Sequence, residues 1–132
     1  MRKIILMILL AVVSNSAMAE WRITSENGFA DLYVNLDTYL KAGNTVRVWE
    51  LQDYKKAITL ASSGDKYLST TALNEYDCKE KKFRALIFNS HSDHMGEGKL
   101  VFSQNTSGGN WYPVAPAGTI SGDIFIVLCG KE

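Results

Sequence analysis

From Glu20 onward, short apolar segments rich in β-branched and aromatic residues alternate with turn signals. This pattern is typical of an antiparallel sheet, in which tight turns join consecutive strands. The first signal is Asn27-Gly28, whose residues tolerate positive φ, and the second is Ala42-Gly43-Asn44. We therefore predict a strand on each side of both turns.

The strand from about Thr45 to Tyr54 has no clearly polar face. Successive side chains of a strand point to opposite faces of the sheet. One face would carry Arg47, Trp49, Leu51 and Asp53, and the other Val46, Val48, Glu50 and Gln52. Because both sets mix apolar and polar residues, we predict that this strand is covered on both sides.

Two long strands, at 66–78 and 82–91, are predicted to flank the charged turn Lys79-Glu80-Lys81-Lys82, after a polar connection at 55–66. Alternation places Arg84, Leu86 and Phe88 on one face of the second strand. Mixed charges at a loop usually form a solvated hairpin tip. The alternative is a basic contact patch for an acidic partner.

The segment "GKLVFSQ" at 98–104 predicts a further strand, and Pro113 and Pro116 restrict the segment around them to a sheet edge or an extended linker. The spacing of Ile120, Ile124, Val127 and Leu128 is helical, although the run 124–128 alone would also fit a buried strand.

We predict a helix that is capped by Thr119 or Ser121, although Gly122 lowers its propensity. The expected fold class is therefore α+β and mainly β: a curved antiparallel sheet of about six strands with a C-terminal helix packed on it.

Residues 1–19 have the features of a cleaved signal peptide. Two basic residues precede an apolar run from Ile4 to Val13, and Ala17-Met18-Ala19 fits a small-x-small cleavage site. The run is shorter than the roughly 20 residues that a membrane-spanning helix needs. We therefore divide the chain into a leader, 1–19, and one exported domain, 20–132. Because Glu20 and not a cysteine would be the first mature residue, we expect no lipid anchor.

The charge of the exported part gives no general attraction to nucleic acid or to anionic membranes. Removing the leader takes away two of the 14 basic residues and none of the 14 acidic ones, which leaves a net charge of −2 with neutral histidines. Any basic interaction must therefore be local, and no nucleic-acid partner is expected.

Both cysteines of the chain, Cys78 and Cys129, lie in the exported part, where disulfides are stable. Neither has a CxxC partner or a nearby histidine that would mark an activated thiol. We favour a structural disulfide between them, and the alternatives are a reactive thiol or half of a metal site.

The segment "SHSDHMGEG" holds four residues of zinc-binding type: His91, Asp93, His94 and Glu97. In an extended segment His94 would point away from His91 and Asp93, so we favour a polar hairpin loop over a metal site. No serine lies in a GxSxG frame, and "SGG" at 107–109 lacks the lysine and helix of a phosphate loop. We expect neither catalysis nor a bound cofactor.

Five segments occur in an order that resembles the surface-adhesin protein E family: "LYVNLDT", "VRVWELQDY", "YDCKEKKFR", "MGEGKLV" and the closing "WYPVAP" through "LCG". The resemblance covers nearly the whole exported part. It implies an exported bacterial domain with a curved antiparallel sheet, a C-terminal helix and a disulfide between Cys78 and Cys129. For the named adhesins it implies binding to host matrix or serum proteins, sometimes as homodimers.

The expected function is thus an exported binding domain in the periplasm, at the cell surface or outside the cell. Adhesion to host extracellular-matrix or serum proteins is the first interpretation, and a periplasmic module that binds a ligand or a protein is the second. Basic and aromatic residues anchor partners well. The candidate contact residues are therefore those of the hairpin tip and the aromatic edge: Lys79, Lys81, Lys82, Arg84, Trp111 and Tyr112.

Overall fold

The computed structural model describes residues 20–106 and 109–130, so the predicted leader lies outside the described residues. The strands in these ranges are β1 (Arg22–Glu26), β2 (Ala30–Ala42), β3 (Thr45–Thr59), β4 (Lys66–Asp77), β5 (Lys82–His91), β6 (Leu100–Asn105) and β7 (Tyr112–Pro113). A 3-10 turn, His94–Gly96, precedes β6, and the helix α1 (Ile120–Cys129) follows β7.

The six longer strands form one antiparallel sheet in the order in which they occur in the chain, and β7 pairs with the start of β5. Each hairpin therefore pairs strands that are neighbours in sequence. Pro113 lies in β7 at the edge, where its missing N–H costs no ladder hydrogen bond. The predicted fold class, a mainly β sheet of about six strands with a C-terminal helix, is confirmed.

The predicted connection at 55–66 is wrong at its start, because β3 continues to Thr59 and leaves a shorter connection before Lys66. The pairing of β3 with β4 shifts register between Asp53 and Ile58. A bulge of this kind lets a strand bend and continue. The exposed residues Lys55 and Lys56 therefore lie on a strand and not in a connection.

A second register shift places Arg84 on the face of the sheet opposite to the one predicted for it. Phe88 pairs with Ala72 and Arg84 pairs with Glu75, with a register shift between the two pairs. Ala72 and Glu75 are three positions apart on one strand, so their partners point to opposite faces. The prediction that Arg84 shares a face with Phe88 is therefore wrong, because the bulge at Leu86 resets the alternation.

The helix α1 packs on the face of the sheet that we call the helix face. Its N-terminus is capped as predicted, since the Thr119 hydroxyl accepts the Gly122 N–H at 3.2 Å. Full burial of one large apolar side chain stabilises a fold by roughly 1.5–3 kcal/mol. The buried cluster between helix and sheet consists of Val34, Val46, Val48, Tyr76, Ile124, Phe125 and Leu128.

Gly122 is required by close packing at the start of the helix. A Cβ at this position would lie 2.1 Å from the Pro116 carbonyl oxygen and 2.6 Å from that of Ala115. A larger residue would push the preceding segment away. The residue that lowers the helix propensity of α1 thus allows α1 to pack.

The disulfide joins Cys78, just after β4, to Cys129, the last residue of α1. This confirms the favoured interpretation of the two cysteines. The bond closes a loop with a sequence separation of 51 residues. In the chain-entropy model, a loop of that size stabilises the folded state by about 4 kcal/mol.

The opposite face, which we call the loop face, is covered in part by the loop before β6. The Ser69 hydroxyl donates to the Asp93 carbonyl at 2.6 Å and accepts the Gly96 N–H at 2.9 Å. Under this loop Leu51 is fully buried. The middle of β3 is therefore covered on both sides, by α1 at Val46 and Val48 and by the loop at Leu51, whereas Arg47 on the loop face stays exposed.

A buried carboxyl lies on the helix face among these apolar residues. Glu50 is 8% exposed, and the Tyr76 hydroxyl donates to its Oε2 at 2.5 Å. Burial raises the pKa of Glu50 to about 7, although hydrogen bonds from Tyr76 and Asn74 oppose the rise. Burial and the nearby Glu50 carboxyl raise the pKa of Tyr76, so its hydroxyl stays protonated as the donor.

We expect the stability of the protein to fall as pH rises because of Glu50. The folded state keeps this proton up to about pH 7, whereas the unfolded chain releases it near the ordinary value of 4.5. The folded state therefore binds more protons between these values, and its stability declines through that window. Glu50→Gln removes the titration and keeps an acceptor for Tyr76.

Urea unfolding of the parent protein and of Glu50→Gln, at several pH values between 4.5 and 8, measures the difference in their free energies of unfolding. The free energy of unfolding of Glu50→Gln relative to the parent should rise by about 3 kcal/mol across the range. Glu80→Gln, which replaces an exposed carboxyl, is the control, and its free energy of unfolding should have the same pH dependence as that of the parent. If Glu50→Gln also follows the parent at every pH, Glu50 is not a desolvated acid.

Candidate binding surface

The hairpin tip and the aromatic edge, which are separate in sequence, lie side by side in the fold. Lys82 pairs with Pro113 and Phe83 pairs with Tyr112. The Lys81 carbonyl accepts the Val114 N–H at 3.0 Å. These contacts bring the backbones of the two segments together, and we call their candidate residues the tip surface: Lys79, Lys81, Lys82, Arg84, Trp111 and Tyr112.

Local hydrogen bonds fix the backbone of the turn that carries the lysines. The Asp77 carboxylate accepts the N–H groups of Lys79 and Glu80, each at 3.0 Å. The Asp77 carbonyl accepts the Lys81 N–H at 2.9 Å, and Lys81 adopts the left-handed region with φ 57. The Cys78 N–H donates to the Asn44 carbonyl at 2.8 Å, which ties this turn to the neighbouring hairpin.

The lysine ammonium groups of this turn are available to a partner. Lys79, Lys81 and Lys82 are exposed, and no ion pair of the described ranges 20–106 and 109–130 includes them. Beside them the Tyr112 side chain is 57% exposed. The tip surface therefore presents positive charge on a hydrogen-bonded turn and an accessible aromatic ring on the neighbouring strand β7.

Arg84 differs from the lysines because the fold itself uses its guanidinium. Its Nη2 lies 2.9 Å from Oε1 of Glu75, a carboxylate whose side chain is 6% exposed. Its Nη1 donates to the Gly109 carbonyl at 3.3 Å, and its Cζ lies 4.3 Å from the centroid of the Trp111 ring. Arg84 therefore holds the half-buried Trp111 in position and neutralises Glu75.

The histidines of the loop before β6 make separate contacts. His91 Nε2 lies 2.7 Å from the Thr71 hydroxyl, and burial lowers the pKa of this histidine. His94 Nδ1 lies 3.0 Å from Asp53 Oδ1, which also accepts the Met95 N–H at 3.0 Å. Across the described residues, no three His, Cys, Asp or Glu side chains come together as metal ligands would. These contacts hold the loop on the sheet.

Two cavities beside α1 have no counterpart in the predicted sites. One, of about 560 Å³, lies between the helix and the segment Val114–Ala117, which we call the strap. The other, of about 380 Å³, is lined by Glu50, Gln52, Asn74, Tyr76, Phe83, Thr119 and Ser121. Pro116 of the strap and the apolar character of the helix were visible in the sequence, but the position of the strap beside Lys81 of the hairpin tip was not.

Comparison with known proteins identifies the family. The family model described as surface-adhesin protein E matches residues 21–130. The chain belongs to this family. Its membership points to a surface adhesin and away from an enzyme. No curated protein sequence matches the chain at a significant level.

Solved structures of protein E from Haemophilus influenzae share the fold. One is 10% identical to the chain with a TM-score of 0.60, and the match covers 88% of this chain and 90% of that one. Protein E from a non-typeable strain is 9% identical with a TM-score of 0.58, and the match covers 85% of this chain and 77% of that one. At such low identity the likeness concerns the fold alone. Within the described part of the adhesin-family chain, no helix has the length and apolar character needed to cross a bilayer.

We expect Arg84→Met to destabilise the fold more than Arg47→Met. Both arginines contact the buried Glu75 carboxylate, but the side chain of Arg47 is 49% exposed and that of Arg84 only 22%. Removing Arg84 leaves a buried charge poorly compensated and should cost about 3 kcal/mol. Removing Arg47 should cost under about 1 kcal/mol.

Urea unfolding at neutral pH measures both losses, and the tryptophan fluorescence of the folded Arg84→Met protein should change because Trp111 loses its cover. Equal losses for the two variants would show that Arg84 does not have the structural role described.

Proposed function

We propose that the chain is an exported bacterial surface adhesin whose tip surface binds host extracellular-matrix or serum proteins. Family membership supports the general role. The observation that carries the finer proposal is that Lys79, Lys81 and Lys82 lie at a hydrogen-bonded turn next to β7, the strand that carries the exposed Tyr112. Export through cleavage of residues 1–19 and folding of 20–132 as one domain belong to the same proposal.

A rigid tip favours binding because little conformational freedom is lost when a partner arrives. The Asp77 side chain and the disulfide at Cys78 hold the backbone before contact. Preorganisation of this kind raises affinity without new contacts. Tyr112 would then supply an aromatic anchor, a residue type enriched among the energetically important positions of interfaces.

The charge of the tip indicates the chemistry of the partner. Three lysines without an ion pair in the described ranges would complement an acidic segment. The exported part as a whole is slightly acidic, so attraction would be confined to the tip. Such contacts weaken as salt screens the charges, with a Debye length of about 10 Å at 0.1 M.

A periplasmic module that binds a ligand or another envelope protein is the second candidate. The cavity of about 560 Å³ beside α1 favours it, because this volume falls in the range of small-molecule sites. A homodimer is compatible with either function.

We expect neutralisation of the tip lysines to weaken binding to matrix or serum proteins in a salt-dependent way. The test variant is Lys79→Gln, Lys81→Asn and Lys82→Gln, in which asparagine suits the left-handed φ of residue 81. Its affinity should fall by about tenfold or more at low ionic strength, and the difference from the parent should shrink in high salt. Surface plasmon resonance on immobilised matrix and serum proteins measures the loss of affinity and its salt dependence.

The matched control is Lys56→Gln, Lys66→Gln and Lys99→Gln, which removes the same charge from exposed positions outside the tip. It should bind like the parent. Equal weakening of both triple variants would attribute the effect to net charge, and unchanged affinity of the tip variant would remove the tip from the binding surface.

A further inference from the structure

The larger cavity beside α1 has the size and the walls of a small-molecule site. It lies between the strap and the helix, and its volume of about 560 Å³ falls within the usual 300–1,000 Å³ of ligand pockets. Its walls are mostly apolar, with the strap on one side and Gly122, Phe125 and Ile126 of the helix on the other. Lys81 is the charged residue among the lining side chains.

The outer side of α1 is apolar in a way that the fold does not explain. The helix sequence "ISGDIFIVLC" has one acidic residue, Asp123, and no basic one. Helices that are apolar on all sides are ordinarily buried. Here Ile126 is 40% exposed and Val127 is 52% exposed, although Ile124 and Phe125 are buried in the core. The cavity thus adjoins apolar helix surface that the sheet does not cover.

Lys81 is the one charged residue in the otherwise apolar lining of this cavity. Its carbonyl accepts the Val114 N–H at 3.0 Å, which fixes its backbone beside the strap. No ion pair of the described residues includes it, and no acidic residue lines the cavity. An ammonium group at the end of an apolar wall complements a ligand with an apolar body and one anionic end.

We propose that this cavity, which we call the strap pocket, binds a small amphiphilic carboxylate. The apolar chain or ring of the ligand packs against Val114, Phe125 and Ile126, and its carboxylate lies beside Lys81. A small molecule fits better than a protein, because stable protein interfaces bury about 1,200 Å² or more of total surface. The proposal is independent of the adhesive role and stands or falls without it.

The test is an NMR titration of the oxidised, ¹⁵N-labelled protein, isolated after export, with 4-phenylbutyrate. The neutral isostere 4-phenylbutanol is titrated in parallel. Saturable shifts should appear at the amides of Lys81, of the strap residues 114 and 115, and of helix residues 122–126. The dissociation constant of the carboxylate should be lower than that of the alcohol by about fivefold.

Two pairs of variants separate the charge from the apolar wall. Lys81→Asn should lower the affinity for the carboxylate about fivefold and leave the affinity for the alcohol unchanged, whereas Lys79→Gln should change neither affinity. Ile126→Glu places a negative charge in the pocket wall and should abolish binding of the carboxylate. Val127→Glu, on the adjacent exposed position outside the lining, should bind like the parent. Dispersed amide spectra confirm that each variant is folded.

Three results would overturn the proposal. If neither compound produces saturable shifts at the pocket up to about 10 mM, the pocket is not a ligand site. Equal affinity for the alcohol and the carboxylate would reject the role of Lys81. Pocket shifts that depend on protein concentration without ligand would show that a second copy of the chain occupies the groove.

Discussion

The covalent bond between Cys78 and Cys129 is the constraint on which the arrangement of the molecule depends. The sheet is built from hairpins between neighbouring strands and needs no long-range tie to form. The helix is different, because it follows a short edge strand and the strap and has only ten residues. Isolated helices of this length are marginal in water. The disulfide and the apolar cluster around Tyr76 together hold it on the sheet.

That attachment also determines the shape of the proposed binding surface. Cys78 begins the turn that carries the lysines, so the same residue anchors the helix and the hairpin tip. The strap runs from the pairing with β5 to the helix and is held at both ends, where the Val114 N–H donates to the Lys81 carbonyl and the Ala115 N–H donates to the Ser121 hydroxyl. The tip surface and the strap pocket are therefore two sides of one junction between sheet and helix.

Buried polar groups add specificity at a cost in stability. Glu50 with Tyr76 on the helix face and Glu75 between two arginines on the loop face are each costly to desolvate. Each also requires one arrangement of its partners. Arg84 in particular must face Glu75, and this orientation brings Trp111 against the edge of the sheet.

Most of the secondary structure followed from local patterns, namely alternation, turn residues and the helical spacing before Cys129. The positions that escaped prediction depend on irregular or distant pairing. A bulge at Leu86 reverses the side of Arg84, and no composition rule places such a bulge. Gly122 lowers helix propensity locally, but the close approach of Pro116 makes it necessary. The union of hairpin tip and aromatic edge requires β7 to pair with β5, a contact between distant parts of the chain.

We propose that this adhesin-family chain presents its tip lysines outside the cell. The most direct test treats intact cells with an amine-reactive reagent that does not cross the outer membrane, and maps the modified peptides. We expect modification at Lys79, Lys81 and Lys82 while a known periplasmic protein stays unmodified. Modification of these lysines only after the outer membrane has been breached would contradict it and would place the domain in the periplasm.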